Sequence, residues 1–152
     1  MIKKALTCLT LVALVFAFVG CVPPGGKKYR PEMVQHFYGS VFDATETGYY
    51  TAEVILRPNP PVVGRTKADL IIHDFRAEDR GGLDIQAELH MADTGEPAPE
   101  MPTVKEVRGP HRGLYEISIY FPQPGDYELK LIIDGPALDS VVLQIPTVEP
   151  AE

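Results

Sequence analysis

From Tyr49 onward the chain alternates apolar and polar side chains with a period of two, row after row, and this alternation restricts the fold more than anything else in the sequence. Successive side chains of an extended strand leave opposite faces, so such a row marks a strand with one face buried. Tyr50, Ala52, Val54 and Leu56 form the first row. Ala68, Leu70 and Ile72 form the second, with Lys67, Asp69 and His73 pointing the other way. Leu83, Ile85, Ala87, Leu89 and Met91 face inward in the third, with Asp84, Gln86, Glu88 and His90 outward. Thr103 to Val107 reads as a short strand. Three further rows follow: Tyr115, Ile117, Ile119 and Phe121; Tyr127, Leu129, Leu131 and Ile133; Val141, Leu143 and Ile145. Turn sequences rich in Pro and Gly separate the rows, as expected of a residue that lacks an N–H for the ladder. About seven strands, turns roughly every ten residues and no long helix predict an immunoglobulin-like antiparallel β-sandwich. Tyr127, just after a turn and two residues before the inward Leu129, suits either the tyrosine corner of such sandwiches or an ordinary half-buried strand tyrosine.

The N-terminus carries an address. Lys3 and Lys4 precede an almost wholly apolar run, Ala5 to Val19, closed by Gly20 and Cys21. These are the parts of a secretory signal. The run is shorter than the roughly 20 residues that a spanning helix needs. Phe18-Val19-Gly20-Cys21 resembles the bacterial lipobox, with Phe18 in place of the usual leucine. The resemblance implies a signal peptide over residues 1–20, cleavage before Cys21, and acyl chains on that cysteine holding the protein to a bacterial membrane outside the cytoplasm. Val22 after the cysteine, where Asp would signal retention, favours the outer membrane over the inner. Cys8 leaves with the signal, so Cys21 is the one cysteine remaining, and no internal disulfide is expected. The domain must then be stable through its core.

The 14 basic residues lose Lys3 and Lys4 with the signal while all 21 acidic residues stay, which takes the net charge from −7 to about −9. Nucleic acid binding needs clustered Lys and Arg, which the sequence does not supply. Residues 21–34, rich in Pro, Gly and Lys, read as a lipidated cysteine and flexible tether. Residues 35–48 form a pre-domain segment open to two readings, a short amphipathic helix or a cap on one edge of the sheet. The sandwich occupies residues 49–147 and an acidic tail residues 148–152.

Two stretches resemble the FixH/YtkA-like domain. One runs from Pro61-Val62-Val63-Gly64 through the strand ending in Asp74, the Gly81-Gly82 loop and the strand reaching Met91. The other is Gly113-Leu114-Tyr115-Glu116 followed by Phe121-Pro122-Gln123-Pro124-Gly125-Asp126-Tyr127-Glu128-Leu129. The likeness covers about Tyr49 to Ile145. It implies an immunoglobulin-like sandwich outside the cytoplasm, in a family linked through some members to copper handling and cytochrome oxidase assembly. Members often carry Met-Pro-x-Met-Gly-His after the third strand. Here that place holds Met91-Ala92-Asp93-Thr94-Gly95, with Met101-Pro102 further on, so the full motif is absent.

Copper(I) prefers thioether and imidazole donors, which makes His73, His90, Met91, Met101 and His111 the candidates. An antiparallel path places His90, Met91 and Met101 at one end of the sandwich and His73, Asp74 and His111 at the other. His90, Met91 and Met101 are therefore the candidate metal set, although His90 and Met91, adjacent on a strand, point to opposite faces. His36 has no assigned role. No serine sits in a nucleophile elbow and no Gly-rich phosphate loop follows a strand. Glu78, Asp79, Glu96 and Glu100 fall in exposed loops, which offer little of the depth that paired catalytic carboxylates need. The expectation is a non-catalytic binding or accessory module that docks an envelope protein, with the Ala92–Pro102 loop as contact element and no cofactor. Copper binding or delivery is the alternative, and a purely structural lipoprotein the third.

Overall fold

A computed structural model describes residues 36–107 and 113–151. The signal peptide, Cys21, the tether and His111 lie outside the described residues. Eight strands make up the fold: β1 (Val41–Ala44), β2 (Tyr50–Arg57), β3 (Gly64–Asp74), β4 (Asp84–Met91), β5 (Thr103–Glu106), β6 (Leu114–Phe121), β7 (Gly125–Asp134) and β8 (Asp139–Val148). No helix occurs among the described residues. One sheet has the order β1-β2-β3-β6-β5 and the other β4-β7-β8, and all strand pairs are antiparallel.

Omitting β1, the order β2-β3-β6-β5 over β4-β7-β8 is the immunoglobulin ABED-over-CFG arrangement. The expected seven strands are these. The eighth, β1, lies in the segment left open between helix and sheet edge, and it extends the larger sheet by pairing Val41–Ala44 with Thr51–Val54.

The alternating rows meet between the two sheets. Tyr50, Leu70, Ile72, Ile117, Phe121, Tyr127, Leu129, Leu131 and Leu143 are all at most 1 % exposed. Each large aliphatic or aromatic side chain buried this fully contributes about 1.5–3 kcal/mol. Three buried tyrosines also tie loops to the core. Tyr127 Oη donates to Gln123 O at 2.9 Å, which completes the tyrosine corner across the β6–β7 turn. Tyr115 Oη donates to Arg80 O at 3.2 Å and accepts from Leu83 N at 3.0 Å. Tyr50 Oη donates to Ala137 O at 3.4 Å.

Two buried carboxylates fix the chain where no strand does. Asp74, at the end of β3, accepts from the amides of Arg76 and Glu78 at 2.8 and 3.1 Å and from the guanidinium of Arg80. Asp139, at the start of β8, accepts from the hydroxyls of Thr45 and Thr47, both at 2.5 Å, and so joins the β1–β2 loop to the smaller sheet. Gly113 packs against the Asp79–Arg80 backbone at φ 91°, where a Cβ would fall 2.7 Å from Arg80 N. Only glycine accommodates both the backbone angle and that approach.

Candidate functional site

The β6–β7 turn marks one end of the sandwich. The register pairs His90 with Glu128 and Met91 with Tyr127, at the start of β7. On the other sheet, Thr103 pairs with Ser118 near the end of β6. His90, Met91 and Met101 thus lie at the same end, while His73, opposite Thr51 on β2, lies toward the other. Each of the three already has its own surroundings. His90 Nδ1 is 3.3 Å from Gly95 O, and its Nε2 is 3.5 Å from Glu88 Oε2. Met91 packs half-buried against the core, and its sulfur accepts from Gln123 Nε2 at 3.2 Å. Met101 is 65 % exposed.

The Ala92–Pro102 loop that carries Met101 is pinned along the edge of β4. Met91 N donates to Glu96 O, Gly95 N to Met91 O and Ala98 N to Leu89 O. Past this point, Arg65 of β3 holds Glu100 in a two-pronged ion pair at 2.7 and 2.9 Å. Backbone pairing covers an otherwise open sheet edge, a common protection against unwanted strand addition. The pinned loop also presents Met101 from a fixed base.

A second cluster was not foreseen from the sequence. It lies on the outer face of β2, turned away from the core. Glu53 points there by alternation, yet it is 0 % exposed. The segment before β1 folds over it. Glu53 Oε1 accepts from Phe37 N at 2.7 Å and from Ser40 Oγ at 2.5 Å. Its other oxygen, Oε2, faces two imidazoles, His36 Nδ1 at 3.3 Å and His73 Nε2 at 3.7 Å. His36 stacks on Phe42 with ring centroids 3.5 Å apart. His73 Nδ1 lies 2.8 Å from Asp79 Oδ1. The outward expectation for His73 holds for direction and fails for solvent, since the residue is only 7 % exposed. The overlying His36–Ser40 segment and the Asp79 loop account for that burial. His36, given no role by sequence reasoning, is the residue that closes the cluster.

One sequence signal did point here. Leu70-Ile71-Ile72 is apolar on both faces of β3, and Thr51, Glu53 and Ile55 alternate beside it on β2. A strand with Ile on its nominally wet face implies a cover over that face.

Fold and geometry define the class as an antiparallel immunoglobulin-like sandwich, with a pinned loop at one end and a buried imidazole–carboxylate cluster on one outer face. Among known proteins, no family model matches the chain and no curated protein is similar to it.

Proposed function

We propose that the chain is a lipid-anchored, non-catalytic binding module of the bacterial cell envelope, held to the membrane by acyl chains on Cys21 and docking a protein partner through the Ala92–Pro102 loop. The outer membrane is the favoured location. The supporting observation is the loop itself: its backbone is hydrogen-bonded to β4, Arg65 grips Glu100, and Met101 stands exposed beyond. Exposed apolar side chains on a preorganised base make contacts at low entropic cost. Fold likeness to other sandwiches adds little, because this architecture carries many functions.

The test has two arms. Metabolic labelling with palmitate should mark the wild-type chain and not Cys21→Ser, and the variant should leave the membrane fraction. In-cell cross-linking followed by mass spectrometry should recover a partner that is lost when residues 92–102 are replaced by a Gly/Ser segment of equal length. An unchanged partner set in the loop variant refutes the docking surface, and an unlabelled wild-type chain refutes the anchor.

The second reading follows the FixH/YtkA-like motifs and assigns copper binding or delivery to His90, Met91 and Met101. Their placement at a common end supports it. Titration with Cu(I) under reducing conditions should show uptake that Met101→Ala abolishes. Binding no tighter than to an unrelated acidic protein ends this reading.

A further inference from the structure

Six buried side-chain atoms among the described residues lack a hydrogen-bond partner, and all belong to the cluster on the outer face of β2: both ring nitrogens of His36, both of His73, Thr51 Oγ1 and Glu53 Oε2. Buried polar groups of native proteins are almost always partnered, so six orphans in one place make this cluster a candidate ligand site. His73 Nδ1 and Asp79 Oδ1 are close at 2.8 Å, though outside hydrogen-bonding angles.

Charge narrows what such a site could take. Glu53 is fully buried, and a buried carboxylate needs a compensating cation. Its two ion-pair neighbours among the described residues are His36 and His73, which carry charge only when protonated. Among the described residues the donors facing Glu53 Oε2 are imidazole nitrogens, with no sulfur. Two imidazoles and a carboxylate suit a divalent ion of the zinc class and are a poor set for copper(I).

Distances agree. Nitrogen and oxygen donors about 2.0–2.1 Å from a tetrahedral zinc lie about 3.3 Å from one another. The His36–Glu53 and His73–Glu53 donor separations are 3.3 and 3.7 Å. The donors are strung along Glu53 Oε2, and among the described residues no three such groups yet surround a common point. Enclosing an ion would require these side chains to shift around Glu53 Oε2, His36 giving up part of its stack on Phe42. The supporting groups are in place. Phe37 N and Ser40 Oγ hold Oε1 and thereby aim Oε2. Asp79 Oδ1 lies 2.8 Å from His73 Nδ1, close enough to accept its N–H after a small turn of the ring, as carboxylates commonly do behind metal-bound imidazoles, and Nε2 is left toward Glu53.

We propose that His36, Glu53 and His73 bind a divalent first-row transition cation of the zinc class, with Asp79 as the positioning carboxylate, and that the ion clasps the segment before β1 onto the larger sheet. The site is separate from the loop and from His90, Met91 and Met101. It therefore stands or falls independently of partner docking and of copper(I) uptake.

The experiment uses the full chain in detergent, stripped with chelator and titrated with Co2+ for its visible spectrum and with Zn2+ by calorimetry. One ion per chain is expected, with the intense visible bands of tetrahedral cobalt. Asp79→Asn, at an exposed position, should weaken binding by about 10–100-fold without unfolding the protein. His36→Ala and Glu53→Gln should each weaken binding at least as much, and His90→Ala and Met101→Ala should leave it unchanged. Limited proteolysis of the wild type should show the segment around His36 protected by the ion. Should Glu53→Gln fail to fold, His36→Ala and Asp79→Asn carry the test. The proposal is overturned by absence of binding to the wild type, by equal binding to the His36 and Asp79 variants, or by loss of binding in the His90 or Met101 variants.

Discussion

Over residues 50–54 the two faces of β2 are both dry, and they are dry for different reasons. Tyr50, Ala52 and Val54 on the inner face and Thr51 and Glu53 on the outer are all 0 % exposed. The inner face meets the apolar rows of β4, β7 and β8, where each side chain gains by leaving water and no directional partner is required. The outer face meets Phe37, Ser40 and His36, and its stability depends on individual donors reaching individual acceptors. Burial has one meaning for a methyl group and another for a carboxylate. The first is favourable almost wherever it occurs, and the second only when every lone pair is answered.

The largest test of this comparison is a cavity on the apolar side. Leu70→Ala should cost about 3 kcal/mol, within the usual range for a large-to-small core change, and urea unfolding should show it with an unchanged m-value. A cost under 1 kcal/mol would mean that the inner face tolerates collapse and that the contrast is weaker than drawn.

Next comes a buried charge with its partners in place. Asp74→Asn leaves Arg80 with only the exposed Glu78 as a carboxylate partner, and the loss should be about 2–3 kcal/mol. The pH dependence sharpens the same point. Burial by itself would raise the carboxyl pKa of both Asp74 and Asp139. The Arg80 guanidinium and loop amides at Asp74, and the Thr45 and Thr47 hydroxyls at Asp139, outweigh it and hold both below the ordinary range. A carboxylate depressed in the folded state adds stability above its unfolded pKa of about 3.9, and that stability is lost as pH falls through the lower folded value. Denaturant melts should therefore show a steep loss of stability below about pH 4, shallower in Asp74→Asn. An identical slope in the variant would remove Asp74 from the explanation.

A smaller effect tests a single neutral hydrogen bond. Tyr127→Phe keeps the ring in the core and deletes the bond to Gln123 O, so a loss of about 1 kcal/mol is expected. The smallest belongs to the surface. Arg65→Ala removes the exposed pair with Glu100 and should change global stability by less than about 1 kcal/mol. Its effect should show as faster amide hydrogen exchange in the loop around Glu96 and Ala98. Unaltered exchange there would mean that the β4 hydrogen bonds alone hold the loop.

The inner rows were legible because alternation is a local property: each strand declares its buried face without reference to its neighbours. The tyrosine corner was legible for a related reason, since Tyr127 and Gln123 are four residues apart and joined by a turn of recognisable composition. The grouping of His90, Met91 and Met101 at one end followed from counting strands. The Glu53 cluster was not legible. Its members come from positions 36, 53, 73 and 79, and alternation marks Glu53 and His73 as solvent-facing.

By itself the sequence determined that this chain makes an antiparallel sandwich, which rows fill its interior, and where its turns fall. These follow from residue-by-residue physics, the period of a strand and the backbone limits of proline and glycine. Tertiary structure alone decided what would cover the outer face, that β1 would lengthen the larger sheet, and that two histidines would converge on one buried carboxylate. That decision rests on distant parts of the chain excluding water together, and no local pattern of residues encodes it.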